Sequence, residues 1–282
     1  TLMIGCSDMG TGCDTILAQM AADGLGCDMD NIIVRGVDTD QSPYDSGSYA
    51  SSTTYVTGGA VVKACESMRK RICEEAAAIM GLKSGEVDFD GETISENDNP
   101  EHSMTLSDLI TSLEAGNGRI IEVTESHTSP VSPPPFMAGA AEIEVDLETG
   151  KITPINYVAA VDCGTVINTN LARIQTEGGI VQGMGMTLYE DVQYTEAGKM
   201  KNRNFMSYKI PTRLDMGSIS VEFESSYEQT GPYGAKSIGE IVINTPAPAI
   251  ADAVYNATGL RFRTLPITAE QVMMGLLERE EA

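Results

Sequence analysis

Two hydrophobic periods alternate along this chain. Residues 1–4 form a short apolar run that reads as a strand ending at Gly5. Ile16, Leu17 and Met20 then share one face of a helix over about 14–24. Residues 31–37 are rich in β-branched side chains and read as the next strand, and residues 58–80 read as a long helix. This alternation predicts an α/β subdomain over residues 1–85.

The pattern changes over residues 86–135. Residues 87–94 predict a hairpin turning at Asp90-Gly91, and 106–113 a short helix. Residues 97–100 read as a breaker, and the Pro-rich run 129–135 as a connection between subdomains. From 136 to 282 hairpins and helices mix. Residues 140–146 and 152–161 alternate around the turn Glu148-Thr149-Gly150, and a second hairpin is predicted at Ala197-Gly198. Helices are predicted over 169–188, 247–258 and 268–279, with a strand over 219–223. The expected fold class is α+β, built from mixed α/β subdomains.

Composition narrows the function. The chain has 282 residues, with 18 Lys plus Arg against 41 Asp plus Glu, a net charge of −23. A nucleic-acid backbone or an anionic membrane surface would be repelled. No apolar run is long enough to span a bilayer. The six cysteines form no CxxC pair, so neither a structural zinc site nor an iron–sulfur pattern is expected. No secretory signal pattern opens the sequence, and the cysteines read as reduced thiols of a cytoplasmic protein. His102 and His127 lie in polar stretches and read as exposed loop residues.

Four segments could carry chemistry. The first is the Gly-rich turn Gly10-Thr11-Gly12 between a strand and a helix, whose N-terminal N–H groups could meet an anion. It is neither a dinucleotide fingerprint nor a Walker motif, and the plain alternative is an ordinary turn. The second runs from Gly47 to Thr54, with small and hydroxyl residues ahead of a helix. They suit a polar ligand edge or a simple Ser/Thr cap. The third runs from Gln175 to Gly185. Its four glycines, each costing about 1 kcal/mol in a helix, imply close packing or ligand approach. Gln175 and Gln182 are seven residues apart and share a face. The fourth ends at Gly239-Glu240, just before the apolar Ile241-Val242-Ile243. A partly desolvated Glu240 would suit a general base, and the alternative is a surface carboxylate with Lys236 as its partner.

Together and in this order, the segments resemble the molybdenum subunit of the xanthine dehydrogenase and aldehyde oxidase family. The resemblance spans about residues 1–274. Residues 234–240 are similar to the family's GxKxxGE segment. Asp162 to Asn168 followed by Gln175 to Gly185 is similar to its DxGxxxN and Gln/Gly-rich run, and Asp38 to Ser51 to its D-T-D…G-x-Y-A-S pattern.

The resemblance implies that Glu240 is the catalytic base beside a molybdenum centre. It implies cofactor contacts at Gly10, Thr11, Gly12, Ala50, Ser51, Thr53, Gln175, Gln182 and Gly239. The implied cofactor is a molybdopterin with molybdenum, the cytosine dinucleotide form being expected, and no protein side chain is expected to ligate the metal. The implied reaction is oxidative hydroxylation of a small N-heteroaromatic substrate, purine or nicotinate-like, with water as the oxygen source. Implied partners are a polypeptide carrying the N-terminal half of the molybdenum subunit, a [2Fe–2S] subunit and an FAD subunit. On this reading the chain is the C-terminal polypeptide of a split subunit, as in nicotinate dehydrogenase, or a fragment of an unsplit one. The cofactor would then lie between this chain and its partner.

Thr11 departs from the family's usual Gly-Gln-Gly, and its hydroxyl is too short to replace an amide bridge. Two other readings follow. One is a structural subunit that no longer holds cofactor. The other is a sulfur-free or copper-containing member that oxidises a small gas.

Overall fold

The structure is a computed structural model that describes residues 1–281. Helices and mixed sheets give the α+β class, and the chain forms two compact units. Unit 1 comprises residues 1–133 with 228–235, and unit 2 comprises 134–227 with 236–282.

In unit 1, strand β1 (Leu2–Ile4) pairs in parallel with β2 (Val34–Gly36). Helix α1 (Cys13–Leu25) packs on α2 (Gly58–Met80) through small residues. A Cβ on Gly24 would come within 2.9 Å of Cys65 Cβ, so glycine there lets the helices close. Strands β3 (Val87–Phe89), β4 (Thr93–Glu96) and β5 (Asn99–Thr105) form an antiparallel sheet. The β3–β4 turn is at Asp90-Gly91, where the Asp90 carboxylate accepts the Glu92 and Thr93 N–H groups. Helix α3 (Leu106–Asn117) starts with a Thr105/Asp108 capping box. A core of Ile72, Phe89, Ile94 and Leu109 joins α2, α3 and this sheet.

In unit 2, β6 (Phe136–Val145) and β7 (Ile152–Asp162) form a long hairpin. Its turn is fixed by Asp146, which accepts from Glu148 N–H and the Thr149 hydroxyl. Strand β8 (Ser218–Phe223) pairs in parallel with β7, which is therefore central. Helices α4 (Thr169–Leu188), α5 (Pro246–Thr258) and α6 (Ala269–Glu281) complete the unit. Asn168 caps α4 by accepting the Leu171 N–H at 3.0 Å. Tyr157, Val161, Ile180, Met184, Ile250 and Val254 form the core. Each buried aliphatic there contributes about 1.5–3 kcal/mol.

Two local expectations change. The breaker at 97–100 leads directly into β5, because Pro100 sits on an edge where no ladder donor is needed. The hairpin at Ala197-Gly198 reduces to a single bridge between Tyr194 and Met200.

Candidate cofactor and catalytic site

The candidate residues fall in both units. In unit 1, the Gly10–Gly12 turn connects β1 to α1. The sequence alone leaves the N–H groups here free to meet an anion, and the structure corrects this. The Asp8 carboxylate accepts the Gly10 N–H at 2.9 Å, the Gly12 N–H at 3.2 Å and the Asp14 N–H at 3.4 Å. Burial works against the charge on Asp8, but these N–H groups outweigh it and hold the carboxyl below the usual range. Asp8, Cys13 and Asp14 place potential ligand atoms within 4.8 Å of one another. Asp8 is spent on backbone, however, and burial followed by the Asp8 and Asp14 charges keeps the Cys13 thiol protonated. The cluster therefore reads as a helix cap. Burial likewise pushes Cys6 up to about 12, and all six cysteines are free.

The Tyr49–Ser51 turn is followed by the Thr53–Thr57 turn and then α2, and the chain ahead of it passes close to Gly5, where a Cβ would fall 2.2 Å from Pro43 O. Ala50 and Ser51 both take left-handed backbone, with φ of 52° and 55°. That conformation costs an L-residue roughly 1–2 kcal/mol. Ser51 Oγ is buried without a hydrogen-bond partner. Thr53 donates its hydroxyl to Ser48 Oγ at 2.8 Å. No side chain caps α2 or the Thr53–Thr57 turn before it, so the simple-cap alternative is not what this stretch does.

His127 corrects the exposed-loop expectation. It is half-buried with an unpartnered Nδ1, and burial followed by the Lys63 charge lowers its pKa. His102 is exposed but lies on β5, with Nδ1 2.8 Å from Glu96 Oε2.

In unit 2, α4 sorts its glycines by face. A Cβ on Gly179 would fall 2.1 Å from Val242 Cγ2, and one on Gly183 would fall 2.7 Å from Pro246 Cγ. A Cβ on Gly185 would lie 2.2 Å from Glu190 Oε1. These three glycines serve packing within the unit. Gly178 differs, because a Cβ there meets nothing within 4 Å. It lies on the outer face between Gln175, half-buried, and Gln182, exposed.

Val242 is the buried centre of a 3-10 turn, Ile241–Ile243, and Glu240 is the residue just before that turn. Packing against α4 therefore fixes the chain beside Glu240. Its side chain is exposed, which corrects the expectation of partial desolvation. Gly239 is half-buried. Lys236 is not the partner of Glu240. Its Nζ lies 2.6 Å from Asp162 Oδ2 and donates to Pro134 O at 3.3 Å. A cleft of about 320 Å³ in unit 2, bordered by Tyr189, Asp191, Lys201 and Lys209, includes none of the candidate residues.

Residues 1–217 match the family model of the molybdopterin cofactor-binding domain. The chain belongs to that family. It is 33% identical over 277 residues to the probable hypoxanthine oxidase XdhD of Escherichia coli K12, covering 96% of this chain and 28% of that protein. It is 30% identical over 273 residues to the putative xanthine dehydrogenase molybdenum-binding subunit XdhA of the same organism, covering 95% of this chain and 36% of that protein. The fold superposes on quinoline 2-oxidoreductase from Pseudomonas putida 86 with a TM-score of 0.82 at 26% identity, covering 97% of this chain and 36% of that one. The chain thus spans about a third of the length of the relatives it matches. No helix among the described residues is long and apolar enough to cross a membrane.

Two observations fit a molybdopterin within this fold. One is the orphaned Ser51 hydroxyl on a strained turn. The other is the open Gly178 position between two glutamines, where a flat ligand could approach the helix backbone.

Proposed function

We propose that this chain is the cofactor-binding, catalytic part of a molybdenum hydroxylase acting on an N-heteroaromatic ring, purine or nicotinate-like, with water as the oxygen source. The names of two relatives, a hypoxanthine oxidase and a xanthine dehydrogenase subunit, support purine chemistry. A quinoline oxidoreductase supports the wider heteroaromatic class. The bound molybdenum–pterin group would supply the redox centre and the activated oxygen.

The observation that carries the reading is the setting of Glu240. An exposed carboxylate stands at the start of a turn whose next side chain but one, Val242, is locked into the core. A rigid backbone with a free carboxylate suits a base that must take a proton in one fixed direction. Gln175 and Gln182, on the outer face of α4, offer amide donors and acceptors to the pterin edge. Ser51 offers a hydroxyl that no protein group uses. Ala50 and Thr53 flank Ser51 in unit 1, Gly239 precedes Glu240 in unit 2, and each is proposed as a further cofactor contact within its own unit. The dinucleotide form is proposed to be the cytosine one. The rest of the molybdenum subunit, a [2Fe–2S] subunit and an FAD subunit are the proposed partners.

A second reading, a structural subunit without cofactor, draws on Asp8. Its carboxylate fills the amides that an anionic cofactor edge would otherwise meet, and Thr11 offers no long amide. Metal analysis of the native complex purified through this chain separates the two. About one molybdenum per chain supports the hydroxylase, while partner subunits without molybdenum support the structural reading. In the loaded complex, Glu240→Gln should abolish most turnover on a purine or pyridine carboxylate. Full turnover would remove Glu240 as the base.

A further inference from the structure

Asp162 ends β7 and uses both carboxylate oxygens. Oδ1 accepts from the Ser226 hydroxyl at 2.5 Å and from the Gly164 N–H at 3.0 Å. Oδ2 meets Lys236 Nζ at 2.6 Å. The Lys236 main chain is tied to the same strand end, its N–H donating to Cys163 O at 2.8 Å. Lys236 is 8% exposed, and its ammonium also lies 5.3 Å from the Phe136 ring centroid.

The two partners of Asp162 hold a particular place in the chain. Tyr227 is the last residue before residues 228–235 leave unit 2, and Lys236 is the first residue after they return. Ser226 and Lys236 therefore bracket an excursion, and one carboxylate holds both ends. Four residues after Lys236 comes Glu240. Between them the backbone is irregular, with no strand or helix to fix it. On one side of Glu240 the chain is anchored by Val242 on Gly179, and on the other by Lys236 on Asp162.

We propose that Asp162 is a positioning residue for Glu240, clamping Ser226 and Lys236 so that the segment bearing Glu240 starts from one fixed point. The proposal rests on the reading of Glu240 as the base. It extends that reading by assigning a role to a carboxylate whose two oxygens are both taken by protein groups. Lys236 is buried and Asp162 half-buried, and such an ion pair is a poor device for net stability but a good one for specifying a single arrangement, because breaking it strands the buried ammonium. A mobile Glu240 would still bind substrate neighbours but would seldom point the right way, so the loss should appear in kcat more than in KM.

The test uses the intact molybdenum enzyme containing this chain. Hydrogen exchange is followed in the peptide covering 236–244, with β6 and α4 peptides as references. In Asp162→Asn the 236–244 amides should exchange about tenfold faster while the reference peptides are unchanged. Lys236→Met should behave the same way, and Lys236→Arg should keep most of the protection. With molybdenum content equal to wild type, kcat of Asp162→Asn should fall about tenfold or more with KM within about twofold. Unchanged exchange at 236–244, or faster exchange spread equally over α4 and β6, overturns the proposal. If Asp162→Asn does not fold, Ser226→Ala keeps the ion pair and is read on the same amides. A rise confined to 236–244 supports the clamp, and no rise overturns it. Because exchange needs no turnover, these outcomes are separate from those for Glu240 itself. Full turnover by Glu240→Gln would remove the base, whereas unchanged exchange in Asp162→Asn would remove the positioning.

Discussion

Gly179 and Val242 interlock: a Cβ on Gly179 would fall 2.1 Å from Val242 Cγ2 and 3.0 Å from its Cβ. This contact seats the turn after Glu240 against α4, so one missing methyl group sets the position of the candidate base. Val242 is β-branched and fully buried, so it has little freedom to move aside.

Gly179→Ala should therefore destabilise the protein by roughly 1–3 kcal/mol, the usual cost of overpacking a filled site. Thermal unfolding of the variant measures it. Gly178→Ala is the informative contrast, one residue away. Its Cβ would meet nothing within 4 Å, so helix propensity alone should raise stability, by up to about 1 kcal/mol. If a pterin lies along this face, the same substitution should lower molybdenum content. A stable variant with full molybdenum would place the cofactor elsewhere.

Ser51→Ala makes a similar pair of opposed effects. The buried Oγ has no partner, so its removal should cost the cofactor-free protein nothing and spare a desolvation penalty of about 1 kcal/mol or more. The loaded enzyme should retain less pterin. Comparing denaturation midpoints with pterin content checks both halves. A destabilised cofactor-free protein would show that the hydroxyl serves the fold.

Asp8→Ala removes an acceptor from three N–H groups at the start of α1. The cost should be about 0.5–2 kcal/mol, as for other lost caps. The freed amides should also gain affinity for an anion, so added phosphate should stabilise Asp8→Ala more than wild type. Equal phosphate effects on the two proteins would show that the loop does not open to anions.

Acid should weaken the Asp162 clamp. Burial pushes this carboxyl up, but Lys236, Ser226 and the Gly164 N–H together hold it below the ordinary aspartate value of 3.8. A folded pKa below the unfolded one means the stabilisation is complete above pH 3.8 and is lost as pH falls through the depressed folded value. Asn resembles the protonated acid in shape. The stability gap between wild type and Asp162→Asn should thus be full at about pH 6 and shrink as the pH falls into the acid range. Urea midpoints across this range measure it, and a gap independent of pH would mean the charge on Asp162 is not what holds the clamp.

Local chemistry made much of this fold legible from sequence. The β6–β7 hairpin follows from alternation on either side of an Asp-led turn closing at Gly150. Helix α3 begins at a Thr/Asp box, and α4 begins after Asn168 because an Asn side chain can take the place of the missing carbonyl. The candidate site was legible only as segments. Gln175 and Gln182 share a helix face as their spacing requires, but spacing alone does not separate Gly178 from Gly179. Glu240 is exposed although an apolar triplet follows it, because only Val242 of that triplet is fully buried. The partial burial of His127 is not legible in its neighbours, because nothing around it in sequence signals that Gly59 will pack against its ring.

Asp8 and Lys236 show where the division lies. Residues within about one turn of each other settled the caps, the tight turns and the periods of strand and helix, because those depend on backbone groups a few bonds apart. The family motifs were likewise carried by residue identity at short spacing. Lys236, by contrast, has two carboxylates to choose between. Glu240 is four residues away and Asp162 is 74 residues away, and the structure pairs it with the distant one. Only folding brings β7's end to the point where the chain returns. There a buried ammonium meets the half-buried Asp162 carboxylate, and the exposed Glu240 is left free.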